Sequence, residues 1–293
     1  MNKTLFVVAI SMFLLNGCTT FYRVLRVSPS DKTGTITFTT APSDPLYEFY
    51  YSDTLNNVYL RELRQGYKLD VLTAVHKDEL GKILAILDWG NRQWEHSGSN
   101  NPSKPDALTI LKEAGEGNSF RCVEYGIVAA AALTSVGIPA RVLGLKTRDV
   151  EKVRRGAGHV VAEVYASSLE KWIFIDPQFN VLPTLNGIPL NAVEFQNAII
   201  NNRSQLVLVN AAGEVPAENT EAYLSWVAKY LFYFDALFDQ RIEVAPDYKE
   251  IGGMTKITLV PVGEKEPRVF QRTSRINYSW YTNSLNDFYR KPE

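Results

Sequence analysis

An α+β fold is predicted from three features of this 293-residue sequence. A small-residue, apolar run opens on Cys122 and has the length of a buried helix. Two alternating runs, 159–165 and 171–176, read as paired antiparallel strands. Helical periodicity at 78–114 precedes them, so the helices come first and pack on the sheet that follows. Hydrophobic content of 45% and charged content of 22% fit a globular chain. A net charge of −1 provides no electrostatic case for nucleic-acid binding.

At the N-terminus, Asn2 and Lys3 precede an apolar run over 5–15. It is shorter than the roughly 20 residues a membrane-spanning helix needs, so 1–17 reads as a signal peptide. Leu15-Asn16-Gly17-Cys18 resembles a bacterial lipoprotein signal. The resemblance implies lipidation of Cys18 and a cell-envelope lipoprotein held on a membrane by acyl chains. Thr19 and Thr20, where an aspartate would retain the protein inside, imply the outer membrane. The chain has two cysteines, so Cys122 would be the lone thiol of the mature protein. An unpaired exported cysteine is flagged as a reactive thiol, although buried cysteines also serve as small core hydrophobes.

Residues 18–54 are expected to form an N-terminal arm with a strand over 35–40, followed by turn residues at 41–45. Residues 55–210 form the main domain, and 211–293 a C-terminal extension packed on it. Leu80, Ile83, Leu84, Leu87 and Trp94 share one helical face after Asp78, a plausible N-cap, with the helix ending near 96–98. A second helix spans 106–114. The tip Trp94-Glu95-His96 points towards the segment leading into Cys122, in position to line a cleft.

The next helix has Gly137 as its stop signal and Pro139 beyond it. Cys122 thus falls in a first helical turn, where the helix dipole and free N–H groups favour a thiolate and can donate to an oxyanion. In the hairpin, a tight turn at Ser167-Ser168 would set His159 directly opposite Asp176 on one face. The charged, glycine-ended stretch 146–158 reads as a mobile loop. Farther on, 181–189 reads as loop, 205–209 as strand, and 223–238 as an aromatic-rich helix. Strands are expected at 257–260 and 276–281, with no chemistry assigned to this C-terminal part.

Cysteine catalysis needs a thiolate, a base and a group that orients the base. Cys122, His159 and Asp176 supply these in papain-like order. The pattern resembles the transglutaminase-like superfamily over about 80–179. The matching segments are Cys122-Val123-Glu124-Tyr125, the run from Gly137 to Arg141, His159 with Glu163-Val164, and Trp172 with Asp176-Pro177. The resemblance implies a transglutaminase-like, papain-like core, with Cys122 as nucleophile, His159 as base and acid, and Asp176 as orienter. It also implies a second oxyanion donor from upstream, for which Gln93 and Trp94 are the oxyanion or cleft candidates. Arg121 stands where a glycine often precedes the cysteine, and Val161 where an aromatic residue is common; both positions shape the cleft. Three histidines without ligand spacing and a single mature thiol indicate no metal site, and no Gly-rich phosphate loop is present. The expected function, without cofactor, is hydrolysis or acyl transfer on peptide or amide bonds, with a cysteine peptidase or amidase favoured and a peptide or protein as substrate. The rival is a non-catalytic binding or scaffold lipoprotein that keeps the fold.

Overall fold

Helices come first along this chain and strands second. The structure, a computed structural model, describes residues 35–41, 44, 46–54, 56–241 and 249–292. Residues 1–34, with the signal segment and Cys18, lie outside the described residues. Two helices were not foreseen: α1 (Val58–Gly66), capped by the Asn57 side chain, and α2 (Leu69–Ala74). Next come α3 (Glu79–Asn91), α4 (Ala107–Gly115) and α5 (Cys122–Ser135). Asp78 caps α3 by accepting from the Gly81 N–H at 2.7 Å, and Asp106 caps α4 through the Thr109 N–H at 3.0 Å. The first of these helices stops at Asn91, short of the expected 96–98. Beyond it the chain leaves the helix so that the Trp94 ring packs on Phe120 and Tyr125, with ring centroids at 5.7 and 4.4 Å.

The strands form one six-stranded sheet and two small ones. In chain order the elements are β1 (Ala140–Lys146), β2 (Gly158–Ala166), β3 (Lys171–Ile175), β4 (Leu182–Leu185), β5 (Ile188–Pro189) and α6 (Ala192–Asn201). They continue with β6 (Leu206–Asn210), β7 (Gly213–Glu214), α7 (Ala217–Val227), β8 (Tyr233–Leu237) and β9 (Lys256–Leu259). The last are β10 (Val269–Phe270), β11 (Ser274–Arg275), β12 (Ser279–Thr282) and α8 (Leu285–Phe288). The main sheet runs β12-β9-β8-β1-β2-β3, antiparallel except for the β12–β9 pair. Strands β5-β4-β6-β7 make a second sheet, and β10-β11 a third.

Strand alternation sorts the core into two layers. Ala162, Val164, Ile173 and Ile175 face the helical layer with Val128, Ala129 and Leu133 of α5. Leu143, Val161, Phe174 and Phe234 face the other side, where Phe195, Tyr223 and Leu224 pack. The approach of α5 to β2 is close. A Cβ at Gly126 would stand 2.8 Å from the Val161 carbonyl oxygen, so only glycine fits there.

Several expected elements differ. The run 223–238 is not one helix: α7 ends at Val227, Ala228–Tyr230 makes a 3-10 turn, and 233–237 is strand β8. Its aromatic residues suit a pleated, buried surface, and pairing with β1 and β9 outweighs helical periodicity. The segment 181–189 is not loop throughout, because β4 and β5 form a hairpin with Asn186 and Gly187 at positive φ. The stretch 146–158 is anchored rather than free. Val150 is buried, the Gln271 N–H donates to the Val150 carbonyl at 2.9 Å, and the Gln271 side chain accepts from the Ala157 N–H at 3.0 Å. Of the strand expected over 35–40, Thr39 alone forms a bridge, parallel to Ser284.

Candidate functional site

Cys122 is the first residue of α5. Arg121, in place of the glycine common before the cysteine, is the N-cap residue. Its backbone N–H donates to Glu124 Oε2 at 3.0 Å, and its guanidinium pairs with Glu124 Oε1 at 2.6 Å. The carboxylate of Glu124 therefore closes the helix start, while Cys122 stays half-buried as a free thiol. First-turn backbone N–H groups have no intrahelical acceptor, so the Cys122 N–H is available to a ligand.

The hairpin register differs from the expected one. Ala162 pairs with Ile175 and Ala166 with Lys171, around a four-residue loop 167–170. Glu79 holds that loop by accepting from the Ser167 and Ser168 N–H groups at 3.0 and 2.8 Å, and Glu170 takes a positive φ. Asp176 thus aligns with Val161 and is not the direct partner of His159. The shift is two residues, which preserves the face. From this diagonal position the side chains still meet, with His159 Nε2 and Asp176 Oδ2 2.7 Å apart. Cys122 lies beside the His159 ring, close enough to act on its charge, and with Nε2 on the carboxylate Nδ1 is the ring nitrogen left for the thiol.

Asp176 is fully buried and saturated. Its Oδ1 accepts from the N–H groups of Gln178 and Phe179 at 3.1 and 3.4 Å. Its Oδ2 accepts from His159 and from the Tyr223 hydroxyl, the latter at 2.8 Å. Asn91, the last residue of α3, clamps the loop beyond by donating to the carbonyls of Pro177 and Gln178 at 3.0 and 2.9 Å. Burial alone would lower the His159 pKa. The Asp176 charge and hydrogen bond, with Cys122, outweigh it and raise the value to about 9. His96, nearby on the surface, is shifted downwards by burial and by the His159 charge.

Residues 68–177 match the family described as the transglutaminase-like superfamily. This stretch is similar to a transglutaminase-like core. It includes Cys122, His159 and Asp176 and covers less than half of the chain. Among solved structures, a candidate cysteine protease from Cytophaga hutchinsonii is 17% identical over 57% of this chain and 57% of its own, at a TM-score of 0.34. The periplasmic domain of TgpA from Pseudomonas aeruginosa, bound to ethylmercury, is 17% identical over 44% of this chain and 51% of its own, with a TM-score of 0.31. Red sea bream transglutaminase is 14% identical over 61% of this chain and 33% of its own, at 0.34. The chain thus spans little more than half, or less, of the structures it resembles. No curated protein matches it.

Within the matched stretch, the two cleft candidates differ. The Gln93 side-chain amide donates to the Trp89 carbonyl at 2.7 Å, within its own helix end. Trp94 is buried, and its indole Nε1–H meets no acceptor among the described residues. Its carbonyl accepts from the Tyr125 hydroxyl at 2.7 Å, tying 94 to α5. Among the described residues, no group of three His, Cys, Asp or Glu side chains is arranged to hold a metal ion.

Sequence reasoning missed the far wall. Trp226, Tyr230 and Phe179 surround the His159 ring at centroid distances of 4.9, 5.8 and 6.1 Å. Tyr230 lies close enough to Cys122 that burial and the thiol's charge push its hydroxyl up to about 12. Tyr223 and Trp226 are three apart on α7 and share a face. That spacing was visible, but nothing in it named the histidine as their target.

Proposed function

We propose that the protein is a cysteine hydrolase or acyltransferase acting on peptide or amide bonds, with hydrolysis favoured. The observation that carries the reading is the 2.7 Å His159–Asp176 pair beside Cys122, a half-buried thiol at a helix N-terminus. With its pKa near 9, His159 holds a proton at neutral pH opposite the Cys122 sulfur. The Cys122 thiolate attacks the carbonyl carbon, and the oxyanion accepts from the Cys122 backbone N–H. The unpartnered Trp94 indole N–H supports that residue as second donor; Gln93, turned onto Trp89, is the weaker candidate. The C–N bond then breaks as His159 gives its proton to the departing nitrogen, leaving a Cys122 thioester. In the second half, His159 takes a proton from water, hydroxide attacks the thioester carbon, and the C–S bond breaks to return the thiolate. An amine in place of water would give transfer through the same intermediate.

The test is alkylation of the mature protein with iodoacetamide at pH 7, wild type against His159→Ala. Labelling of Cys122 at least about tenfold faster in the wild type is expected, since a neighbouring histidine base activates a thiol nucleophile. Equal, slow labelling of both would refute the enzyme reading and leave the scaffold alternative. The Cys18 motif supports an outer-membrane lipoprotein anchored by acyl chains. Metabolic labelling with a fatty-acid analogue should mark the wild type and not Cys18→Ser.

A further inference from the structure

We infer that Tyr223 is a positioning residue for the Asp176 carboxylate, so that a helix outside the transglutaminase-like core completes the candidate site. The inference rests on the Cys122 reading above and extends it to α7, which lies beyond the matched residues 68–177. The Tyr223 hydroxyl donates to Asp176 Oδ2 at 2.8 Å, and this is the same oxygen that faces His159 Nε2 at 2.7 Å. Two backbone N–H groups hold Oδ1. Without the hydroxyl, Oδ2 would have His159 as its sole partner, and the carboxylate would lose one of the four bonds that fix its plane.

The setting makes that bond matter. Tyr223 is fully buried, and its ring stands 5.2 Å from Phe179, which in turn stands 4.6 Å from Trp226. Trp226 meets the His159 ring edge-on, and Tyr230 packs against Trp226 at 5.0 Å. These rings keep water from the Asp176–His159 bond, so a neutral donor on the carboxylate acts in a low-dielectric site. Burial and the Asp176 charge hold the Tyr223 hydroxyl protonated well beyond its ordinary range, so it serves as a donor at any working pH. The titratable groups facing His159 are Asp176 and Cys122, with Tyr223 behind the carboxylate, Tyr230 beside the thiol and His96 at the rim. By sharing Oδ2, Tyr223 spreads the negative charge that would otherwise act on the imidazolium alone.

A buried tyrosine also needs a hydrogen-bond partner merely to fold, so the test must separate positioning from packing. The chain has three histidines, so protein labelled with 13C at histidine Cε1 gives three signals that can be followed with pH. In Tyr223→Phe the His159 midpoint, about 9 in the wild type, is expected to rise by at least about 0.5 pH unit, with His76 unmoved. In an Asp176→Asn background the same substitution should move nothing further, because the hydroxyl acts through that carboxylate. Leu224→Ala, a buried neighbour on α7, should lower the melting temperature without moving the midpoint. A Tyr223→Phe titration superimposed on the wild type, or a shift undiminished in the Asp176→Asn background, would overturn the inference. Because the readout is the imidazole and not turnover, it is decided independently of the alkylation experiment.

Discussion

Strand β2 carries two buried charged sites on one face, four residues apart, and they have opposite characters. At Glu163, the carboxylate Oε2 accepts from Arg141 Nη2 and Nε at 2.7 and 3.1 Å. Oε1 accepts from the Ala192 N–H and the Tyr289 hydroxyl at 3.0 and 3.1 Å. Arg141 also donates to the Phe288 carbonyl at 2.8 Å, and its guanidinium lies 4.4 and 4.5 Å from the Trp172 and Phe288 rings. Both charges of that cluster are fully buried, and it bolts the C-terminal segment onto the sheet. At His159 the carboxylate is equally saturated, but the far end of the relay is a half-buried sulfur at a helix start. Both are ionisable groups paired within one core. A closed network contributes to architecture, whereas a network with one open end can hand a proton to a substrate.

The comparison can be broken or sharpened by experiment. The largest effect is expected at the open end: Cys122→Ala should reduce amide hydrolysis or transfer by about 1,000-fold or more while the melting curve stays close to wild type. Next comes the closed end. Arg141→Ala leaves Glu163 buried without its ion pair and should cost about 3–5 kcal/mol in urea unfolding. Its pH–rate profile, measured on the folded fraction, should keep its inflections. An inflection displaced by this variant would show that the bolt is coupled to the site.

The third prediction concerns pH. The folded His159 pKa, about 9, is raised above its ordinary value near 6.5. Its contribution to stability is therefore complete below about pH 6.5 and is lost as pH rises through about 9. Activity should fall on the same alkaline limb, as the proton for the leaving group is lost. In Asp176→Asn that limb should move down by about a unit or more, because burial then acts on His159 without the opposing charge. An unmoved limb would assign the inflection to another group. The smallest effect is expected between the two sites. Gly126→Ala forces a methyl against the Val161 carbonyl and should destabilise by about 1–3 kcal/mol. Because Gly126 lies one turn below Cys122, alkylation of the thiol should slow as well.

Much of the candidate site was legible, for local reasons. Cys122 at a helix start follows from the apolar run after it and from Gly137, which takes a φ of +86° at the far end. The placement of His159 and Asp176 on one face survived a wrong register, because the turn differed by an even number of residues. A three-residue error would have separated them. The misread stretches share a cause. Residues 233–237 are aromatic and apolar enough for either helix or strand, and the choice was made by β1 and β9, whose positions no local pattern reveals. The stretch 146–158 looked mobile because its anchors, Glu264, Lys265 and Gln271, lie more than a hundred residues away.

By itself, the sequence determined the helix that presents Cys122, the strands that bear His159 and approach Asp176, and the motifs it shares with the transglutaminase-like superfamily. Periodicity, caps and turn residues act within a few positions, so they can be read without the fold. Tertiary structure alone decided that Tyr223 shares the carboxylate of Asp176, that Trp226, Tyr230 and Phe179 enclose the imidazole, and that Arg141 and Glu163 are sealed beneath the C-terminal residues. Those contacts join positions 20 to 147 apart in the chain. The physical reason is that a hydrogen bond or ring contact between distant residues leaves no local pattern, since either partner alone would suit many other surroundings.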